Sequence, residues 1–80
     1  MMSNDKLINS MRANPRDWKI SDIERACRAY SIVCSPPSRG SHYKLHHPRI
    51  NGILTVPARK PIKPIYIRLL LTMIDELEKM

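Results

Sequence analysis

Eighty residues leave room for one domain and one core, and a chain this short buries roughly 60–65% of the surface it exposes when unfolded, so a stabilising partner chain is easily accommodated. Fourteen lysines and arginines against seven acids give a net charge of +7, which favours a polyanionic partner. No apolar run approaches the roughly 18 residues that span a bilayer, and the first ten residues lack the apolar centre of a secretory signal, so the expectation is a cytoplasmic protein with no membrane contact.

The spacing of Leu7, Ile8 and Met11 predicts a short first helix over 5–13, broken by Asn14-Pro15 because the residue before proline is pushed out of the helical region. Ser21-Asp22-Ile23-Glu24 has the form of a capping box, with Ser21 as N-cap and Glu24 reaching back. Ile23, Ala26, Cys27 and Tyr30 then follow at i, i+3, i+4 and i+7, one apolar stripe of a helix ending near Tyr30. Residues 31–35 read as a strand through Ile32-Val33-Cys34, and 36–40 as a turn too rich in proline for a ladder.

A second strand is expected over 41–46, with Tyr43 and Leu45 facing the core and His42, Lys44 and His46 facing out. Asn51-Gly52 closes the next turn, and 53–56 forms a third strand that Pro57 terminates. Residues 58–63 make a basic loop, and Pro64 suits the first turn of a last helix, where its missing donor is harmless. Along that helix Tyr66, Leu70, Met73 and Leu77 form one stripe, and Arg68, Thr72, Asp75 and Lys79 the polar face. Ile67, Leu71 and Ile74 add a second apolar flank, suited to a wide core or to a partner chain. The order is therefore α-α-β-β-β-α, one α+β domain over 1–80: an N-terminal helical extension over 1–20 and an α-β-β-β-α core over 21–79. Its three-stranded antiparallel sheet is packed by helices on one face, the plan of double-stranded-RNA-binding domains.

Cys27 and Cys34 lie seven apart without ligand-like neighbours, which fits two reduced thiols rather than a zinc site, and no metal or cofactor is expected. The charge pattern is more informative. From Arg25 through Ile74 every formal charge is positive: nine basic residues without one Asp or Glu. A titratable imidazole in such a region, His42 after the Gly40-Ser41 turn, is what a small protein needs to hold a phosphodiester and move a proton beside it. That combination points to RNA.

Gly40-Ser41-His42, His47-Pro48 and Ile53-Leu54-Thr55-Val56-Pro57, in this order and spacing, resemble the HicA family of mRNA-cleaving toxins from bacterial HicAB toxin–antitoxin modules. The run over 54–67 is similar to a longer-armed subgroup of that family, and the resemblance covers roughly 21–74. It implies a double-stranded-RNA-binding-domain-like fold and a type II toxin that cleaves mRNA. It also implies an essential histidine at position 42 and silencing by a HicB-like antitoxin in a toxin–antitoxin hetero-oligomer. The chain departs from the pattern in its N-terminal extension and in Ile65-Tyr66, where a Gly-Thr start to the last helix is commoner.

A metal-independent ribonuclease uses the ribose 2′-hydroxyl as nucleophile, so one group must move a proton and others must neutralise the developing phosphorane. His42 is the catalytic candidate, since an ordinary imidazole, with a pKa of about 6.5, populates both protonation states near neutrality. Lys44, about 6.5–7 Å along the strand, is a candidate phosphate holder, whereas His46, at about 13 Å, is too distant to share that phosphate. Arg39, Gly40, Ser41, Arg59, Lys60 and Lys63 complete the expected RNA-binding set, with Ser41 positioning backbone rather than attacking. Trp18 and Tyr43 are candidate base-stacking rings, with core packing the plainer role for Trp18. A non-catalytic RNA-binding module of the same fold would use the same residues. A DNA-binding regulator ranks below both, because the basic residues lie on strands and loops rather than on a recognition helix.

Overall fold

The computed structural model describes the backbone over 2–80 and side chains from Lys6 onward. The order is α1 (Met2–Ala13), α2 (Ile20–Ala29), β1 (Val33–Ser35), β2 (His42–His46), β3 (Leu54–Pro57) and α3 (Pro64–Glu78). This is the expected α+β arrangement, with α1 beginning earlier than expected.

α1 is not an appendage. Ile8 and Met11 are buried among the residues of α2 and α3, and Leu7 packs beside them. Arg12 forms a two-pronged ion pair with Asp75 on α3, Nη1 donating to Oδ2 at 3.2 Å and Nη2 to Oδ1. That hydrogen bonding holds the Asp75 carboxyl below the usual carboxylate range and raises the Arg12 guanidinium. Both side chains stay more than a third exposed, so the pair orients α1 more than it stabilises it.

The start of α2 corrects the sequence reading. Its N-cap is Lys19, and Ser21 lies inside the helix. The Asp22 carboxylate accepts the Lys19 N–H at 2.9 Å, so the reaching-back acid stands two residues earlier than Glu24. The other end corrects it too. Ile32 N–H donates to the Cys27 carbonyl at 2.9 Å and Ser31 N–H to the Arg28 carbonyl at 3.4 Å, the crossed pair of a Schellman ending. Ser31 consequently takes φ 56°, which removes 31–32 from the strand and leaves β1 three residues long. A serine holds the left-handed site that glycine fills without penalty. Ser31→Gly is expected to stabilise the fold by about 0.5–1 kcal/mol, read as a rise of several degrees in thermal midpoint; an unchanged or lower midpoint would contradict this account.

The sheet is antiparallel in the order β1-β2-β3. Val33, Cys34 and Ser35 pair with His46, Leu45 and Lys44, while His42, Tyr43, Lys44 and Leu45 pair with Pro57, Val56, Thr55 and Leu54. Opposed residues share a face. Leu45 and Val56 are fully buried with Tyr43, Leu54 and Cys34 packed around them, and His42, Lys44 and Thr55 lie exposed on the other face. Both outer strands meet proline: β1 runs into Pro36-Pro37, and Pro57 is the last residue of β3 rather than the residue beyond it.

α3 starts with Pro64 in its first turn, as expected. Ile67, Leu70 and Ile74 are fully buried and Leu71 and Met73 nearly so, so the second apolar flank serves the core. Cys27 and Cys34 are free thiols within reach of each other, and burial pushes both up. No helix among the described residues is long and apolar enough to cross a membrane.

Candidate functional site

Two loops are tied down before any site forms. After α1, the Asn14 side-chain oxygen accepts the Arg16 N–H at 3.1 Å, and the Trp18 indole N–H donates to the Asn14 carbonyl at 2.7 Å. The Trp18 carbonyl in turn accepts the Ile62 N–H at 2.8 Å, an isolated antiparallel bridge that clips 14–18 onto the basic loop over 58–63. Ile62 is buried, so the basic loop is anchored in the core at one point while Arg59, Lys60 and Lys63 stay exposed. The loop includes a cis Lys60-Pro61 peptide.

The other end of the loop is fastened to the strand that carries the histidine. Ala58 N–H donates to the Ser41 carbonyl at 2.8 Å, extending the pairing of His42 with Pro57 by one more bond. Gly40 takes φ 74°, a turn conformation that a side chain would strain even though the space around it is open. Gly40 thus redirects the chain from the proline-rich turn into β2, and Ser41 contributes its backbone carbonyl to the Ala58 bond.

Between these fastened segments lies an open groove of about 650 Å³. Ser41, His42, Arg59, Lys60 and Lys63 all line it, together with Pro57, Pro61, Ile62 and Pro64. Its size is within the range of about 300–1,000 Å³ usual for ligand sites. His42 is exposed within it, free to meet a ligand from solvent.

Three expected site residues fall outside the groove. Arg39 and Gly40 sit exposed in the preceding turn, and Lys44 stands on the open sheet face between Ser35 and Thr55. The groove leads away from His42 toward the basic loop and not along the strand, so strand geometry alone misplaces its direction. His46 is opposite Val33, and the His47 Nδ1 accepts the Arg49 N–H at 3.1 Å in a turn of its own.

Three polar lining residues lie outside the set expected from sequence, Arg16, Asp17 and Tyr66, in addition to the apolar Pro57, Pro61, Ile62 and Pro64. The first two belong to the segment read as an extension outside the core, and their contribution depends on the Trp18–Ile62 bridge, a long-range pairing with no local signal. Tyr66, expected on the core stripe, is half-buried, packing on the core while lining the groove. Trp18 and Tyr43 are instead half-buried against the core, and neither lines the groove. Among the described residues no cluster of three His, Cys, Asp or Glu is arranged to hold a metal ion.

Comparison with models of known protein families, with curated proteins and with solved structures returns no significant match to this chain.

Proposed function

We propose that this protein is a metal-independent endoribonuclease acting on mRNA, with His42 as its proton-transfer group. We further infer that it is the toxin of a type II toxin–antitoxin module, held silent by a HicB-like antitoxin. One observation carries the catalytic reading: an exposed imidazole lines the same groove as Arg59, Lys60 and Lys63. The α-β-β-β-α order from α2 onward supports a double-stranded-RNA-binding-domain-like version of the fold.

The chemistry follows from that juxtaposition. His42 takes the proton from a ribose 2′-hydroxyl, whose oxygen attacks the adjacent phosphorus. The bond from phosphorus to the 5′ oxygen then breaks, leaving a 2′,3′-cyclic phosphate, and the departing oxygen takes its proton from solvent. Arg59, Lys60 and Lys63 neutralise the charge that grows on the phosphoryl oxygens, where preorganised cations act most strongly. Arg39 and Lys44, outside the groove, extend the positive track along which flanking phosphates run. The antitoxin acts by occlusion, an acidic segment covering His42 and the basic loop.

The direct test is incubation of purified protein with mRNA in excess EDTA. Fragments bearing 2′,3′-cyclic phosphate and 5′-hydroxyl ends are expected; persistent binding with intact RNA would leave a non-catalytic RNA-binding module of the same fold. Slow growth on expression, relieved by a neighbouring open reading frame, checks the toxin–antitoxin part. The phosphate role has its own readout. Changing Arg59, Lys60 and Lys63 together to Gln is expected to flatten the slope of log affinity against log salt by about 2, at about 0.7 per phosphate contact on single strands. An unaltered slope would place the RNA elsewhere on the molecule.

A further inference from the structure

Asp17 and Tyr66 line the groove and have no part in the phosphate chemistry. Asp17 is the one carboxylate among the groove's lining residues, facing a site otherwise charged by Arg16, Arg59, Lys60 and Lys63. Among the described residues it forms neither an ion pair nor a hydrogen bond with any of those cations. A groove built only to hold phosphate would bind more tightly with a neutral residue there, because a carboxylate repels the RNA backbone. The backbone at Asp17 is fixed on both sides. It takes φ 66°, and it sits between Arg16, whose N–H donates to the Asn14 side chain, and Trp18, which is bonded at both indole and carbonyl. The half-buried Tyr66 lines the same groove and, with Pro57 and Pro61, supplies an apolar surface that no phosphate needs.

We propose that Asp17 and Tyr66 form a subsite for one unpaired guanine of the RNA. The base stacks on the tyrosine ring, and the carboxylate accepts its N1–H and N2–H hydrogens as a pair. The assignment rests on the groove being the RNA site and adds its specificity. An ionised carboxylate only accepts, so it selects the edge with two adjacent donors. Guanine alone has that edge. Adenine and cytosine place a ring acceptor beside their amino group, and uracil flanks its single N–H with two carbonyls. Unpaired bases stacked on aromatic rings and read along their pairing edge are the usual route to sequence preference on RNA.

The test uses uncleavable 2′-O-methyl oligonucleotides, uridine runs carrying one central G, A, C or U, with affinity measured by fluorescence anisotropy. The intact protein is expected to hold the guanine oligonucleotide about 10–100-fold more tightly than the all-uridine one, the range of a good bidentate base contact. Asp17→Asn, which suits the same left-handed backbone, is expected to bring that ratio below about 3 while tightening the all-uridine complex. Tyr66→Leu is expected to weaken both complexes about 10-fold and leave the ratio intact. Equal affinity for all four bases, or a guanine preference unchanged in Asp17→Asn, overturns the subsite. The outcomes separate it from the nuclease reading: His42-dependent cleavage without base preference removes the subsite alone. A guanine preference that Asp17→Asn erases, with no cleavage of ordinary RNA, sustains the subsite and removes the nuclease.

Discussion

His42→Ala is expected to lower RNA cleavage by about 10²–10⁴-fold, the contribution of a positioned proton-transfer group. Binding should fall far less, because Arg59, Lys60 and Lys63 keep their charges in the same groove. The two effects separate cleanly here because the ring is exposed and packs in no core, so its removal opens no cavity and leaves the fold intact. His42→Gln should be as inactive as the alanine variant, since an amide hydrogen-bonds but does not titrate near neutrality. A variant that keeps more than a tenth of the cleavage rate would take His42 out of the reaction.

Removal of residues 1–19 is expected to abolish cooperative unfolding altogether. The segment carries Ile8 and Met11, buried at 3% and 0% exposure, and the Trp18 carbonyl that anchors Ile62. Met11→Ala alone should destabilise by about 2–5 kcal/mol through lost contacts and the cavity left behind. For so small a domain that is a large share of a total of the order of 5 kcal/mol. Denaturant or thermal melts followed by circular dichroism read both changes. A fragment over 20–80 that melts cooperatively near the midpoint of the whole chain would show that α1 is dispensable. The groove would then lose Arg16 and Asp17 without losing its scaffold.

Local pattern made most of the fold legible. The i, i+3, i+4, i+7 stripe from Ile23 to Tyr30, the alternation over 42–46 and the proline opening α3 each report on neighbours within one turn or one pleat. Where the reading slipped, the decisive bond was less obvious or more distant. Ser31 in a left-handed conformation is an unusual helix ending, since glycine is the ordinary signal, and Asp22 competed with Glu24 for the same capping role. The groove was half legible. Ser41 and His42 come from one turn-to-strand junction, and Arg59, Lys60 and Lys63 are visible as a charge run. Arg16 and Asp17 join them only because Trp18 bridges to Ile62 across more than forty residues, and Tyr66 reaches the groove although its helix register assigns it to the core.

The outer strands of the sheet have one more consequence. β1 offers three residues of backbone before Pro36-Pro37, and β3 offers four that finish at Pro57, which has no N–H to donate. A stray chain seeking to add itself to either margin finds too few amides in register to hold on. Concentrated solutions should therefore resist fibril growth, and association with another macromolecule has to be negotiated through side chains instead of a borrowed ladder.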